Sequence, residues 1–236
     1  MQDNFYYKKE SNAFFERWKK YNPNFNPLIL RKSKKEIYDF LKKNINITDK
    51  NVLEIGCFIG DLLYNLKKKN NCRVYGVEPS SKACFFSKKN YNLQIQNKTF
   101  VNSNFFLNNK KNFQYFDIII CDDILSWVGR DIILPCLAAI DWMVKINGYI
   151  FFRDFYPSRN FAVKNHHWPK NKIFNFKQKH GHMNFFLQAG KYEIIKNYVR
   201  LDKSYQTINS KNKESLIWSD CIIKKLKDFS HPIEKL

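Results

Sequence analysis

Apolar runs bounded by turn residues set the rhythm of the chain: Val52–Ile55, Arg73–Val77, Phe116–Cys121 and Tyr149–Phe152. Their apolar character does not alternate, as expected of strands covered on both faces, so they predict a buried sheet. Helical periodicity fills the gaps over residues 61–69, 81–89 and 132–144, the second stretch opening at a serine cap and the third ending before Asn147-Gly148. Strands alternating with helices imply a parallel α/β sheet. Upstream, residues 12–21 and 33–43 predict two amphipathic helices, separated by a turn over 22–27, that cover one face of the sheet. After Pro157 the chain becomes polar and rich in His and Asn through His182; an apolar segment at 183–189 follows, then an expected antiparallel pair at 192–199 and 216–223.

The densest chemistry lies in Val52-Leu53-Glu54-Ile55-Gly56-Cys57-Phe58-Ile59-Gly60-Asp61, a strand running through a glycine turn into a helix. Gly56 and Gly60 permit positive φ and close approach of a ligand to backbone, and the amides opening the next helix can receive a carboxylate or phosphate. A phosphate-binding P-loop needs Gly-Lys-Ser/Thr where this chain has Gly60-Asp61-Leu62, and a nicotinamide fingerprint needs glycine where Phe58 stands. Glu78, 22 residues after Gly56 and followed by Pro79, ends the next strand, a spacing that suits a carboxylate accepting from ribose hydroxyls.

With turn, strand, terminal acid and capped helix in place, the chain resembles class I S-adenosylmethionine-dependent methyltransferases from about residue 38 to 155, and more loosely to 226. The resemblance implies a Rossmann-like, seven-stranded, mostly parallel sheet with helices on both faces and one antiparallel strand, supplied by 216–223. It further implies one domain over 1–236, with a helical N-terminal lid (1–45), a cofactor-binding core (46–156), and a substrate segment with the final antiparallel strands (157–236). S-adenosylmethionine would be the cofactor and S-adenosylhomocysteine its product. By the same resemblance Glu54 serves the methionine end and Gly56, Cys57 and Gly60 form the loop beneath it. Glu78 takes the ribose, Pro79 lies beside the adenine, Asn102 or Asn104 replaces the usual Asp at the adenine amine, and Asp122 faces the sulfonium. The aromatics Phe5, Tyr6, Tyr7, Phe14, Phe15 and Trp18 resemble a closing lid, with Tyr7 or Tyr6 against the cofactor carboxylate; helix packing is the ordinary explanation of 14, 15 and 18.

Methyl transfer is an in-line displacement that needs alignment and, for a hydroxyl acceptor, a base. The base candidates are Asp154, His166, His167, His180 and His182, the last four being all but one of the chain's five histidines. Taken singly, His180 and His182 read as exposed loop residues, and without accompanying Cys the cluster does not read as a metal site. Residues 165–177 resemble substrate segments of methyltransferases from bacterial surface-sugar pathways. The expected reaction is therefore O-methylation of a small or sugar-type acceptor, in surface-polysaccharide or natural-product modification. The alternatives are an RNA or protein methyltransferase and a non-catalytic binding subunit of the same fold. Leu134-Pro135-Cys136 is similar to the Pro-Cys pair of cytosine C5 methyltransferases, but its apolar helical context reads as packing, and no Asp/Asn-Pro-Pro-Tyr motif follows the fourth strand.

Composition refines this picture. Lys and Arg outnumber Asp and Glu 41 to 21, but most of the excess is Lys, in a chain also rich in Asn, Phe and Tyr, which weights nucleic acid down. The Lys runs at 34–35, 67–69, 88–89, 110–111 and 224–225 read as solvated surface. Lys164, Lys170, Lys172, Lys177 and Lys179 flank the expected substrate mouth and would draw an anionic acceptor. The six Cys show no C-x-x-C spacing and read as small core residues. Without a long apolar span or a signal-peptide core, the expected location is cytoplasmic, with no membrane span.

Overall fold

The computed structural model describes residues 2–165, 167–168, 170, 173–201 and 217–228. Its strands are β1 (Asn51–Ile55), β2 (Arg73–Val77), β3 (Ile95–Gln96), β4 (Phe116–Asp122), β5 (Val144–Phe155), β6 (Phe161–Lys164), β7 (Phe174–Lys177), β8 (Tyr192–Leu201) and β9 (Ile217–Lys225). Its α-helices are α1 (Gln2–Phe5), α2 (Ser11–Tyr21), α3 (Lys32–Asn44), α4 (Asp61–Asn70), α5 (Ser81–Tyr91), α6 (Asn104–Leu107), α7 (Ile133–Met143) and α8 (Met183–Gln188). The main sheet runs β3-β2-β1-β4-β5-β9-β8, with β9 antiparallel to both neighbours, and β6 and β7 form a separate antiparallel hairpin. This is the Rossmann-like methyltransferase sheet expected from the sequence. Residue 216, the expected start of the last strand, lies outside the described residues.

The sheet is buried on both sides because each strand divides its apolar residues between two cores. Leu53, Ile55, Ile119, Cys121, Ile150 and Phe152 meet α7 and α8 on one face. Val52, Ile118, Ile120, Phe151 and Ile222 meet α3 and α4 on the other. Complete burial of each such side chain contributes about 1.5–3 kcal/mol, so both faces are stably covered. The carboxyl ends of β1, β2, β4 and β5 therefore lie along one edge, held from two sides.

The departures from the expected boundaries have local causes. β3, at two residues, is too short to show a period. β5 begins directly after α7, and the expected turn is absorbed inside it, with Asn147 left-handed at φ 63°. At the N-terminus, α1 continues through a π-helical turn over Tyr6–Glu10 into α2, so the helical segment begins well before residue 12. The β6–β7 hairpin, in the stretch read only as polar, has Asn175 and Lys177 turned inward and Phe174 and Phe176 half-buried. Among the described residues no helix is long and apolar enough to cross a membrane.

Candidate active site

The loop between β1 and α4 bends through three left-handed residues, Gly56 (φ 73°), Phe58 (φ 52°) and Gly60 (φ 76°). The Gly56 and Cys57 amides donate to Val77 O at 2.9 and 3.2 Å, which presses the loop onto the end of β2. A Cβ on Gly56 would lie 2.9 Å from Ile124 Cδ1, so loop backbone and the β4 exit turn meet closely. Glu78 is buried beneath the loop and accepts from the Phe58 amide at 2.9 Å and the Ser80 amide at 2.8 Å. Burial nevertheless raises its carboxyl to about 7, against the pull of those two amides. Cys57 belongs to this loop through its backbone, its side chain being fully buried with Sγ 2.7 Å from where a Cβ on Gly76 would sit. Burial holds that thiol well above its ordinary value.

Beside the loop lies a residue read as surface. Lys34 is 4% exposed, and its Nζ stands 2.5 Å from Glu54 Oε1 and 2.7 Å from Asp122 Oδ2. The signal was present in the sequence, since Lys34 lies on the same helical stripe as Ile37, Tyr38 and Leu41, all buried. Burial opposes the Lys34 charge, but Asp122 and Glu54 outweigh it and raise the ammonium above its ordinary value. Asp122, though desolvated, is held below the usual carboxylate range by Lys34 and by Arg153, whose Nε is 4.0 Å away. Glu54 is less well compensated: burial lifts it to about 7, and its Oε2 is buried with no hydrogen-bond partner among the described residues. Arg31, one turn earlier, clasps Asp61 at 2.8 and 2.6 Å and lies 4.9 Å over the Phe58 ring.

The N-terminal helices close over this edge. Phe14, Phe15 and Trp18 pack on Phe58 at centroid distances of 5.1, 6.0 and 5.3 Å, so the aromatic stripe is packing that also docks α2 on the glycine turn. Further along, Asn165 Nδ2 donates to the Tyr6 hydroxyl at 3.5 Å and the Tyr6 ring lies 5.9 Å from Trp127. Trp168 Nε1 donates to Glu10, which also accepts from Arg17 at 2.6 Å. The inward tyrosine is thus Tyr6, whereas Tyr7, the stronger expectation, is 42% exposed. Asn102 stands in a short 3-10 turn after β3 with its amide donating to Thr99 Oγ1 at 2.9 Å, and Asn104 opens α6; both are exposed. Pro79 follows Glu78 at the end of β2, and its carbonyl accepts from Asn97 at 2.9 Å.

The expected bases are distributed differently from the sequence reading. Asp154 is fully engaged: Oδ1 accepts from the Phe155 amide at 2.8 Å, and Oδ2 accepts from the His182 amide at 2.9 Å and meets His182 Nδ1 at 2.5 Å. That makes it the anchor of α8. His182 is 2% exposed, contrary to the loop reading, and His180 is half-buried with its ring 5.2 Å from Tyr156. His167 is exposed, its amide donating to Asn165 Oδ1 at 2.9 Å, and His166 lies outside the described residues. Of the five lysines expected at the substrate mouth, Lys177 is 4% exposed with Nζ over the Phe155 ring, while Lys164, Lys170 and Lys179 are exposed and Lys172 lies outside the described residues. Sequence reasoning also missed Asp123, which closes a chain in which Asn175 donates to Ser126 at 3.0 Å and Ser126 to Asp123 at 3.2 Å.

The fold has many solved counterparts. Magnesium protoporphyrin IX methyltransferase from Synechocystis, solved with bound S-adenosylhomocysteine, superposes with a TM-score of 0.62 at 12% identity, covering 95% of this chain and 100% of that one. The 1,6-didemethyltoxoflavin-N1-methyltransferase from Burkholderia thailandensis superposes with a TM-score of 0.61 at 13% identity, covering 96% and 87%. An S-adenosylmethionine-dependent methyltransferase from Listeria monocytogenes, its assignment given as provisional, superposes with a TM-score of 0.58 at 11% identity, covering 80% and 98%. Among curated proteins none matches the chain. The sequence model of the methyltransferase domain matches residues 29–193, most of the described core. By that match the chain belongs to the methyltransferase domain family, and it is a class I S-adenosylmethionine-dependent methyltransferase.

Proposed function

We propose that this enzyme methylates an oxygen of a small hydroxylated acceptor held beneath the N-terminal helices and the β6–β7 hairpin. The observation that carries this reading is the closure of that cover by Tyr6–Asn165 and Glu10–Trp168 above the ends of β4 and β5. A cover tied down at two points suits a compact molecule, not a long polymer. In two of the structural counterparts the named acceptors, didemethyltoxoflavin and magnesium protoporphyrin, are likewise small molecules. The basic surface is weaker support for an RNA acceptor, because Lys34, Lys177 and Lys225 are buried.

The residues fit S-adenosylmethionine. Glu54 presents an unpartnered buried oxygen suited to the cofactor's ammonium, and Glu78, under the glycine turn, is a carboxylate suited to ribose hydroxyls. Asn102 offers its carbonyl oxygen to the adenine amine. When bound, the cofactor supplies an electrophilic methyl on a positively charged sulfur. The protein's own work is to hold the two partners in line and exclude water, to which proximity contributes about 7–11 kcal/mol in favourable cases. Calorimetric titration of S-adenosylhomocysteine into wild type and Glu78→Ala tests the cofactor assignment. Micromolar binding, about −8 kcal/mol, lost in the variant is expected; absence of binding to wild type would refute it. Transfer of labelled methyl to low-molecular-weight hydroxylated compounds, and not to RNA, is the matching expectation for the acceptor.

A further inference from the structure

The β6–β7 hairpin carries its polar residues on the wrong face for a surface hairpin. In Phe174-Asn175-Phe176-Lys177 the two inward positions are Asn175 and Lys177. Asn175 Oδ1 is buried without a hydrogen-bond partner among the described residues, and the neighbouring inward residue, Lys177, is 4% exposed. Its amine lies over the Phe155 ring, 6.0 Å from the Trp218 ring, at the carboxyl end of β5. The charged groups that face it are Asp123 from the β4 exit turn and Asp154 from β5, the latter already held by His182. The unpartnered Asn175 oxygen and the Lys177 amine two residues on, both on the inward face of β7 above the strand ends where the cofactor's reactive end is expected, point to a bound molecule that completes them.

We propose that Lys177 is the base of the reaction, taking the proton of the acceptor hydroxyl as the methyl is transferred. This rests on the cofactor reading given above. In the step, a lone pair on the acceptor oxygen forms the new C–O bond, and the C–S pair returns to sulfur. The hydroxyl proton passes to Nζ, so the positive charge lost at sulfur reappears as an ammonium facing Asp123 and Asp154. The amine must be neutral before the step, and burial prepares it: the Lys177 ammonium is pushed down to about 7, against the opposing pull of the two aspartates. Partial burial correspondingly pushes the Asp123 carboxyl up. Asn175, tied to Asp123 through Ser126, is a positioning residue whose free oxygen can accept from a second acceptor hydroxyl.

The test needs no acceptor. In protein with 13C-labelled lysine side chains, the ε-carbon resonance of Lys177 is followed against pH in the free enzyme and in its complexes with S-adenosylhomocysteine and S-adenosylmethionine. The expected result is one resonance that titrates near neutrality, is absent from Lys177→Met or, if that variant does not fold, from Lys177→Arg, and is shifted further down by Asp123→Asn. A sulfonium charge within about 10 Å should lower its midpoint in the S-adenosylmethionine complex by about one pH unit relative to the uncharged S-adenosylhomocysteine complex. Equal midpoints in the two complexes, or no titration below the ordinary lysine range, would overturn the base assignment while leaving the cofactor reading intact. Failure of both molecules to bind by calorimetry would overturn both.

Discussion

Replacing Lys34 with Met removes the cation that, among the described residues, touches both Glu54 and Asp122, while keeping most of the side-chain volume. Buried Glu54 and half-buried Asp122 would then lose the cation they share. Breaking a buried ion pair by deleting one partner costs about 3–5 kcal/mol, which for a chain of this size lowers Tm by roughly 6–20 °C. Glu54 is already pushed up to about 7 with Lys34 present, so in the variant it takes up a proton more readily still. The loss is therefore smallest in mild acid and grows as pH rises. Thermal denaturation of wild type and variant at about pH 5.5 and pH 8 measures both the size and the slope. A cofactor ammonium would bring a replacement cation to Glu54 Oε2, so S-adenosylhomocysteine should restore more of the lost Tm than 5′-methylthioadenosine, which has the nucleoside but no amino acid. A variant within about 2 °C of wild type at pH 8 would refute the buried-cation argument, and equal rescue by the two ligands would refute the assignment of Glu54 to the ammonium.

Two further outcomes follow from the glycine turn. Glu54 and Glu78 both rise from the model-peptide value of 4.5 to about 7 in the folded protein, so between those limits the folded state binds more protons than the unfolded one, and the stability of the free enzyme falls as pH rises through that window. Ribose donors favour the charged form of Glu78; cofactor binding near pH 7 should thus release protons, measured by calorimetry in buffers of different ionisation enthalpy, and unchanged release in Glu78→Gln would contradict this. Gly56→Ala should cost about 1–2 kcal/mol from its φ of 73°. The contact with Ile124 is with a flexible side-chain end, so Ile124→Ala should fail to recover that loss in denaturant unfolding; full recovery would show that contact, not backbone strain, was responsible.

What the sequence revealed was whatever depends on neighbours in the chain. The β1 turn and Glu78 were legible because glycine spacing and a strand-terminal acid are local signals, and the structure joins them through the Phe58 amide. Lys34 reads as surface from its charge alone, but its place on the stripe with Ile37 and Leu41 is the better guide. Lys177 is expected at the substrate mouth, but its burial is not legible in the sequence. Alternation in Phe174-Asn175-Phe176-Lys177 would by itself turn the phenylalanines inward; in the structure Asn175 and Lys177 are the buried pair, set by where the hairpin packs. Asp154 could be read as a free acid because its partner, His182, is 28 residues away and across the sheet edge.

The same distinction separates the net charge from the chemistry. A charge of +20 describes the exterior, where lysines in water interact weakly and are screened by salt. The functional field is set by the few cations that the fold takes out of water, because there each charge must be matched by a specific acid or be lost. Lys34 is matched twice and stays charged; Lys177, buried over the Phe155 ring, is pushed towards neutrality. Lys34 is thus a fixed counter-ion to Glu54 and Asp122. Lys177, poised between its two protonation states, suits a reaction in which a positive charge disappears from sulfur while a proton must find somewhere to go.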